Sequence, residues 1–254
     1  MKILGIIPSR YLSSRLPGKP LKDICGKPMV WWVYQKALEV RGLTDAIVAT
    51  DDNRIIEVCN SLNMKCILTS STCPTGTDRV AEVAKKLNAD LYITIQGDEP
   101  LIEPPIVDLL IDLMVKDESI RCATLKTVYK NPVDVVNGTT PKVVNDNEGN
   151  ILLFSRSPIP YPKASLDFKY YKPLGVYAFR PEVLSKYASL SRGEIEKIED
   201  IELLRLIENG IKIRVIQVDS NSIAVDTEKD LYKVRCIIKQ TSTSLRPFLQ
   251  GSII

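Results

Sequence analysis

The first half of the chain repeats one pattern four times, in which a short apolar run is followed by an amphipathic stretch with helical spacing. In the first such stretch, Val30, Val33 and Ala37 recur three and four positions apart. This alternation is typical of a parallel sheet that carries helices on both faces, the α/β class. The predicted strands are residues 2–7, 45–50, 65–70 and 91–96, and the predicted helices are residues 28–40, 51–63, 78–88 and 104–117.

The pattern changes after residue 118, where strand-like segments follow one another with turns between them. We therefore expect an antiparallel extension over about 118–195. Residues 1–240 are expected to form a single domain, and residues 241–254 a C-terminal tail. The predicted elements of this half are strands at 122–129, 141–146, 151–157, 173–180 and 211–218, and helices at 193–210 and 226–240.

Histidine is absent from the 254 residues, which excludes Ser-His-Asp and Cys-His hydrolases and any His-ligated metal site. The six cysteines show no CxxC spacing, so we expect reduced thiols and a cytoplasmic protein. A net charge of +3 with mixed signs favours a local anion site over a nucleic-acid surface. No apolar run approaches the ~20 residues of a membrane span, and the N-terminus lacks a cleavage site, so we expect neither membrane insertion nor a signal peptide.

A basic loop, within "IIPSRYLSSRLPGKPL", follows the first predicted strand and carries Arg10, Arg15 and Lys19 among three prolines. Parallel sheets bind ligands beyond the carboxyl ends of their strands, where this loop would lie. Arginine forks and a lysine point charge can offset the charge of a triphosphate, and the prolines limit the entropy lost when the loop is fixed. Neither of the standard glycine-rich phosphate loops is present.

Two aspartates are the candidate metal ligands. Asp98 follows the fourth predicted strand in "IQGDEP", and Asp226 is expected at the end of the last predicted strand in "AVDTEKDL". Gly97 would leave space for backbone close to a ligand. Mg²⁺ takes one or two protein carboxylates together with phosphate oxygens, so a shared rim would allow both aspartates to hold it.

Several motifs occur in a fixed order along the chain. After the opening loop come "ATDD", "TGTDR", "IQGDEP", "LLFSRSPIP", "LGVYAFR", "E-x-x-E-x-x-E-x-L-R" and "VDT-x-x-DL". Together they resemble the 3-deoxy-manno-octulosonate (Kdo) cytidylyltransferase family, over about residues 2–240. The resemblance implies a mainly parallel, Rossmann-like sheet of the nucleotide-diphospho-sugar transferase type. It also implies transfer of CMP from CTP to the anomeric hydroxyl of an acidic sugar, with Mg²⁺, in a homodimer that serves lipopolysaccharide or other envelope polysaccharide synthesis.

The same resemblance implies the roles of individual residues. Arg10 and Lys19 would hold phosphates and, with the metal ligands Asp98 and Asp226, form the catalytic set. The other implied nucleotide contacts are Arg15, Arg79 and Gln96, and the implied sugar contacts are Gln96, Arg156, Lys163, Tyr177 and Glu202.

Three positions depart from the family pattern. Pro173 and Leu203 stand where the family usually has histidine and glutamine, and Lys163 where it usually has arginine. Two polar sugar contacts would therefore become apolar, which leaves a modified sugar acid such as 8-amino-Kdo as an alternative to Kdo. In the glutamate helix only Glu202 is expected to function, since glutamates at this spacing mostly form a solvated face.

Two further alternatives remain open from the sequence. One is a sugar nucleotidyltransferase that uses UTP or GTP, because base choice depends largely on backbone groups. The other is a paralogue that binds a nucleotide sugar without reacting. The pair of aspartates argues against the second, since a pure binding protein has no need of two metal carboxylates.

Overall fold

The computed structural model describes residues 1–13, 15–165 and 167–244. A seven-stranded sheet with the order β11-β7-β10-β6-β1-β4-β5 forms its centre. The strands are β1 (Ile3–Pro8), β2 (Asp23–Ile24), β3 (Lys27–Pro28), β4 (Asp45–Thr50), β5 (Cys66–Leu68), β6 (Leu91–Ile95), β7 (Cys122–Val128), β8 (Lys142–Asn145), β9 (Ile151–Ser155), β10 (Tyr171–Phe179) and β11 (Arg214–Gln217). The helices are α1 (Met29–Leu38), α2 (Asn53–Ser61), α3 (Gly76–Lys86), α4 (Pro104–Lys116), α5 (Pro181–Ser189), α6 (Glu194–Glu199), α7 (Leu204–Glu208) and α8 (Glu228–Ser244).

The predicted parallel sheet is confirmed for the first half of the chain. β1 pairs in parallel with β4 and β6, and β4 pairs in parallel with β5. β1 alternates its side chains between two buried layers: Ile3 and Ile7 pack with α1 and α4 on one face, and Leu4 and Ile6 pack with α3 and α5 on the other. Covering helices on both faces explain why the strands read as continuous apolar runs.

The antiparallel part expected after residue 118 is present, and most of it joins the same sheet. β10 runs antiparallel between β6 and β7, and β11 pairs in parallel with β7. Of the strands predicted here, only β8 and β9 form their own antiparallel ribbon. None of the helices in the described part of the chain combines the length and hydropathy needed to span a membrane.

The predicted helix over 193–210 is wrong as a single element. It is divided into α6 and α7 by Asp200, whose φ of 49° is left-handed. Aspartate tolerates this conformation better than most residues, so no glycine or proline marks the break. The expected solvated glutamate face is also wrong, because Glu196 is fully buried. Helix α5 was not predicted, although Pro181 marks its first turn.

A third, smaller core connects the opening loop to the end of the chain. Leu16 and Ile24 from the loop region pack with Val225 and with Leu231 and Val234 of α8. All five side chains are buried. This packing brings the opening loop and α8 together at one rim of the sheet.

Candidate active site

A cleft of about 720 Å³ lies beyond the carboxyl ends of β1 and β6, next to the first turn of α3. This is the rim at which parallel sheets bind ligands. The predicted site residues that line it are Arg10, Arg15, Lys19, Arg79, Gln96, Asp98, Arg156, Tyr177, Glu202 and Asp226. Lys163 does not line it and is exposed on the loop before β10.

The basic loop is fixed by its own backbone and by the third core. Leu16 is 1% exposed, and a short 3-10 helix, Lys19–Leu21, follows Gly18. Gly18 has a φ of 67°, and its N–H donates to the carbonyl of Tyr11 at 3.1 Å. Because L-residues with side chains rarely adopt this conformation, glycine permits the turn that directs Lys19 toward the sheet rim.

Lys19 lies between the two candidate metal ligands. Its Nζ is 2.7 Å from Oδ2 of Asp98 and 3.2 Å from Oδ1 of Asp226. Burial alone lowers the pKa of Lys19, but the two carboxylates outweigh it and the net pKa is raised. The two aspartates therefore converge on one point of the rim, where the local field attracts cations.

Asp226 reaches this point by a route that the sequence did not suggest. The expected position at the end of the last strand is wrong, because β11 ends at Gln217 and the intervening residues 218–227 form neither helix nor strand. The N–H of Val225 donates to the carbonyl of Asp98 at 2.8 Å. This backbone hydrogen bond, together with the pairing of Lys19 with both aspartates, places Asp226 beside Asp98.

The three arginines of the nucleotide prediction differ in their availability. Among the described residues, Arg10 has no hydrogen bond or ion pair, and it is exposed at the rim. Arg15 donates to Oδ1 of Asp226 at 3.1 Å. Arg79 is 3% exposed and pairs with Asp51 at 3.3 Å, so it also holds β4 to α3. Arg10 is consequently the cation most free to meet a ligand.

The opposite side of the cleft is built around Glu202. Its Oε1 accepts from Nε2 of Gln96 at 2.6 Å, and its Oε2 accepts the N–H of Thr77 in the first turn of α3 at 2.7 Å. Burial raises the pKa of Glu202, and burial together with the Glu202 charge raises that of Tyr177. These polar groups form an enclosed wall suited to hydroxyl recognition.

Arg156 is engaged by backbone carbonyls from both sides of the cleft. Its Nη1 donates to the carbonyls of Gly138 and Thr139, both at 2.9 Å, and Nε and Nη2 donate to those of Glu199 and Asp200 at 2.5 and 3.1 Å. Four of the five guanidinium N–H groups are therefore occupied. One N–H of the guanidinium is therefore left for the sugar contact that the family resemblance implies.

Comparison with known proteins decides the family. A family model described as cytidylyltransferase matches residues 4–213. A 3-deoxy-manno-octulosonate cytidylyltransferase from Geobacter metallireducens is 44% identical over 245 residues, covering 92% of this chain and 96% of the relative. One from Escherichia coli is 43% identical over 239 residues, covering 94% and 97%. The chain belongs to the 3-deoxy-manno-octulosonate cytidylyltransferase family.

A solved structure of this family supports the same fold. The CMP:2-keto-3-deoxy-manno-octonic acid synthetase complexed with CTP aligns with a TM-score of 0.89 at 43% identity, covering 95% of this chain and all of that one. The mainly parallel sheet flanked by helices, predicted from the sequence, is thereby confirmed as the fold of the cytidylyltransferase family.

The departures from the cytidylyltransferase pattern do not lie on the cleft surface. Neither Pro173 nor Leu203 lines the cleft, and Leu203 is 2% exposed within the core on the α3 side. Gly97 lines the cleft, as expected for a glycine that leaves space there. A Cβ at this position would also lie 2.7 Å from the carbonyl oxygen of Pro8, so the glycine allows the residues after β6 to approach the end of β1 closely.

Other residues of the cleft were not predicted from the sequence. Arg192 pairs with Glu196 and Asp200, each at 3.1 Å, and both Arg192 and Asp200 line the wall formed by α6. Thr139 lines the opposite wall. The sequence pattern gave no signal for Arg192 and Asp200, because these residues meet the cleft only where the helix is broken at Asp200.

The donor set of the cleft fits a hard divalent cation. Nucleotidyltransferases of this type generally use a divalent metal ion. Within the described residues no group of three or more His, Cys, Asp or Glu side chains could hold one. Asp98 and Asp226 bring two carboxylates to one point of the rim, and carboxylate oxygens are ligands that hard divalent cations accept.

Proposed function

We propose that this protein transfers CMP from CTP to the anomeric hydroxyl of Kdo, or of a closely related 2-keto-3-deoxy acidic sugar, with release of pyrophosphate. The product would serve lipopolysaccharide or other envelope polysaccharide synthesis. One observation carries the proposal: Lys19 and both candidate carboxylates meet at a rim where Arg10 is unengaged, in a chain of the Kdo cytidylyltransferase family.

In this proposal the basic loop binds the triphosphate. Arg10 and Lys19 stabilise the charge that develops on the departing pyrophosphate, and Arg15 and Arg79 support the nucleotide side. Gln96, Tyr177 and Glu202 orient the acceptor sugar for in-line attack on the α-phosphate. Asp98 and Asp226 would hold Mg²⁺, which when bound neutralises phosphate oxygens and lowers the pKa of a neighbouring hydroxyl.

We further propose a homodimer formed through the region of β8 and β9. An apolar groove of about 530 Å³ lies there, lined in part by Leu153 and Ile159. Leu152 and Phe168 beside it are 58% and 41% exposed. Such exposed apolar patches mark interfaces, and light scattering after gel filtration would measure the mass.

A cytoplasmic location is proposed from the free thiols of the chain.

The decisive experiment measures pyrophosphate release with CTP, UTP, GTP or ATP against a panel of sugar acids that includes Kdo and 8-amino-Kdo. We expect turnover with CTP and Kdo. Preference for 8-amino-Kdo would support the alternative acceptor, and binding without turnover of any pair would support the non-catalytic alternative.

The metal assignment is tested in the same assay. We expect Asp98→Ala to remain folded by circular dichroism and to lose Mg²⁺-dependent CTP turnover by about 10³-fold, because phosphate charge is no longer neutralised. Asp112→Ala, in an exposed pair with Lys116 on α4, is the matched control. Near-normal turnover of Asp98→Ala would refute the assignment.

A further inference from the structure

The loop that carries Asp98 also carries Glu99 and Glu103, and neither glutamate lines the cleft. Glu99 directly follows Asp98 and is only 4% exposed. A buried carboxylate is costly unless hydrogen bonds satisfy it. The partners of Glu99 therefore indicate what this side chain does for the fold around the cleft.

Glu99 connects two separate parts of the chain. Its Oε1 accepts the N–H of Gly175 in β10 at 3.0 Å, and its Oε2 accepts the hydroxyl of Ser222 at 2.5 Å. A Cβ at position 175 would lie 3.0 Å from Cγ of Glu99 and from Cβ of Gln96, so glycine is needed for this close approach. Ser222 is 1% exposed, which shields the contact from water.

Glu103 holds the same segment just before Ser222, at Ser220 and Asn221. Its Oε2 accepts the hydroxyl of Ser220 at 2.6 Å, and its Oε1 accepts the N–H of Asn221 at 3.0 Å. The hydroxyl of Ser220 in turn accepts the N–H of Ser222 at 3.0 Å. Residues 220–222 are thus fixed by side chains of the loop that begins at Asp98.

This segment leads directly to Asp226. Because residues 218–227 form neither helix nor strand, no regular ladder of backbone hydrogen bonds holds them. The segment is tied to the loop by Glu103, by Glu99 and by the hydrogen bond from the N–H of Val225 to the carbonyl of Asp98. Of the two glutamates, Glu99 is adjacent in sequence to Asp98, and its link to the segment is the nearer to Asp226.

We propose that Glu99 and Ser222 form a positioning pair that keeps Asp226 in register with Asp98, so that both carboxylates can serve one divalent ion. Neither residue lines the cleft, and the pair acts by holding the segment that leads to Asp226. This inference rests on the proposed function, because it concerns the metal-bound nucleotide of the same cleft. Small displacements of such ligands are costly, since a shift of about 1 Å can reduce a rate by about 10²-fold.

The test uses Ser222→Ala and Glu99→Ala, singly and together, in the full-length protein. Affinity for the Mn²⁺–CTP complex without acceptor is measured by water-proton relaxation, and the unfolding temperature is recorded alongside. We expect Ser222→Ala to bind Mn²⁺–CTP about tenfold more weakly, equivalent to the net loss of one hydrogen bond to a charged group. Glu99→Ala, which also loses the contact with Gly175, should bind at least as weakly. The double variant should bind no more weakly than the worse single variant, because both changes break one link.

Tyr92→Phe is the matched control. The Tyr92 hydroxyl is buried and donates to the carbonyl of Leu87 at 2.7 Å, near the opposite end of β6 from Asp98. We expect this variant to lose stability comparable to that lost by Ser222→Ala without any change in Mn²⁺–CTP affinity.

The outcomes separate the two proposals. Wild-type protein that neither binds Mn²⁺–CTP nor releases pyrophosphate would overturn the proposed function and the positioning pair with it. Wild-type binding that is unchanged in Ser222→Ala and Glu99→Ala would overturn the positioning pair alone, as would additive losses in the double variant.

Discussion

The ammonium of Lys19 lies 2.7 Å from Oδ2 of Asp98, and the same nitrogen also contacts Asp226. A side chain from the first loop thus offsets part of the negative charge of the two carboxylates proposed to hold a cation. Lys19 is 16% exposed, and the two aspartates are 27% and 25% exposed, so solvent screens these pairs only in part. In the proposed function, Lys19 would exchange these carboxylates for phosphate oxygens when a divalent ion and the triphosphate bind, and so would not lose its anionic partners.

We expect Lys19→Met to lose about 10²-fold or more in CTP turnover, because charge on the leaving pyrophosphate is less well stabilised. The free energy of unfolding of the variant should also fall by about 1–2 kcal/mol, since Asp98 loses its cation and Asp226 keeps only Arg15. Added Mg²⁺ should raise its unfolding temperature more than that of wild type. Lys22→Met, which removes an exposed contact with Glu228, is the control. An equal Mg²⁺ response in all three proteins would contradict this reading of Lys19.

Arg156→Lys tests whether the hydrogen bonds from Arg156 to backbone carbonyls hold the two walls of the cleft in place. Lysine has three donors and no planar fork, so it cannot reach carbonyls on both walls at once. We expect KM for the acceptor sugar to rise about tenfold, because about that much is lost with one hydrogen bond from a charged group. KM for CTP should change little. Arg180→Lys is matched to it, because Arg180 also donates to backbone carbonyls, those of Ile120 and Met114, away from the cleft. A similar rise in both variants would mean that the effect is only one of stability.

Arg205→Met should be among the most destabilising single substitutions. Arg205 is 2% exposed and donates to Asp78 and Glu196, each at 2.8 Å. Its removal leaves Asp78 without its ion-pair partner and the buried Glu196 with Arg192 alone. We expect a loss of about 3–5 kcal/mol in the free energy of unfolding by urea titration. Adding Glu196→Gln should recover part of it, since a buried charge that has lost one of its two arginines is removed. A loss below about 1 kcal/mol, as expected for the exposed Lys116 pair, would contradict the prediction.

The thiol of Cys73, on the cleft wall, should react slowly with iodoacetamide. Burial, with help from the hydrogen bond to Glu82, raises its pKa to about 11. Only the thiolate reacts, so at pH 8 the reactive fraction is about 10⁻³, and alkylation should accelerate about tenfold per pH unit until pH 11. Mass spectrometry of peptides gives the rate, with the exposed Cys25 as the internal comparison. Equal rates for the two thiols at pH 8 would contradict the raised pKa.

The sequence was sufficient for those parts of the fold that follow from local periodicity. The four strand–helix rounds and the rim position of Asp98 follow from apolar spacing and from the rule for parallel sheets. The break at Asp200 could not be predicted, because packing around the buried Glu196 and Arg205 overrides the helical pattern. The engagement of Arg156 was equally hidden, since its partners are backbone carbonyls from distant segments.

One element that the sequence prediction missed, α5, could have been predicted from the sequence. Pro181, followed by Val183, Leu184 and Tyr187 at helical spacing, could have indicated α5. The position of Asp226 had no comparable signal, because a segment without regular structure is placed by its cross-links and not by its periodicity. The hydrogen bond from Val225 to Asp98 is such a link.

The order of strands in the sheet has a consequence for the nascent chain on the ribosome. β6, β1, β4 and β5 are neighbours in space and are all translated before Asp98, so this four-stranded portion can pair without waiting for later strands. β10 lies between β6 and β7 in the sheet, so β7 can join the sheet only after β10 has paired with β6. Asp226 is translated after Lys19 and Asp98, so a nascent chain that lacks it would present Lys19 with a single carboxylate. Under the proposed function, capture of a divalent ion by both aspartates therefore waits until Asp226 has been translated.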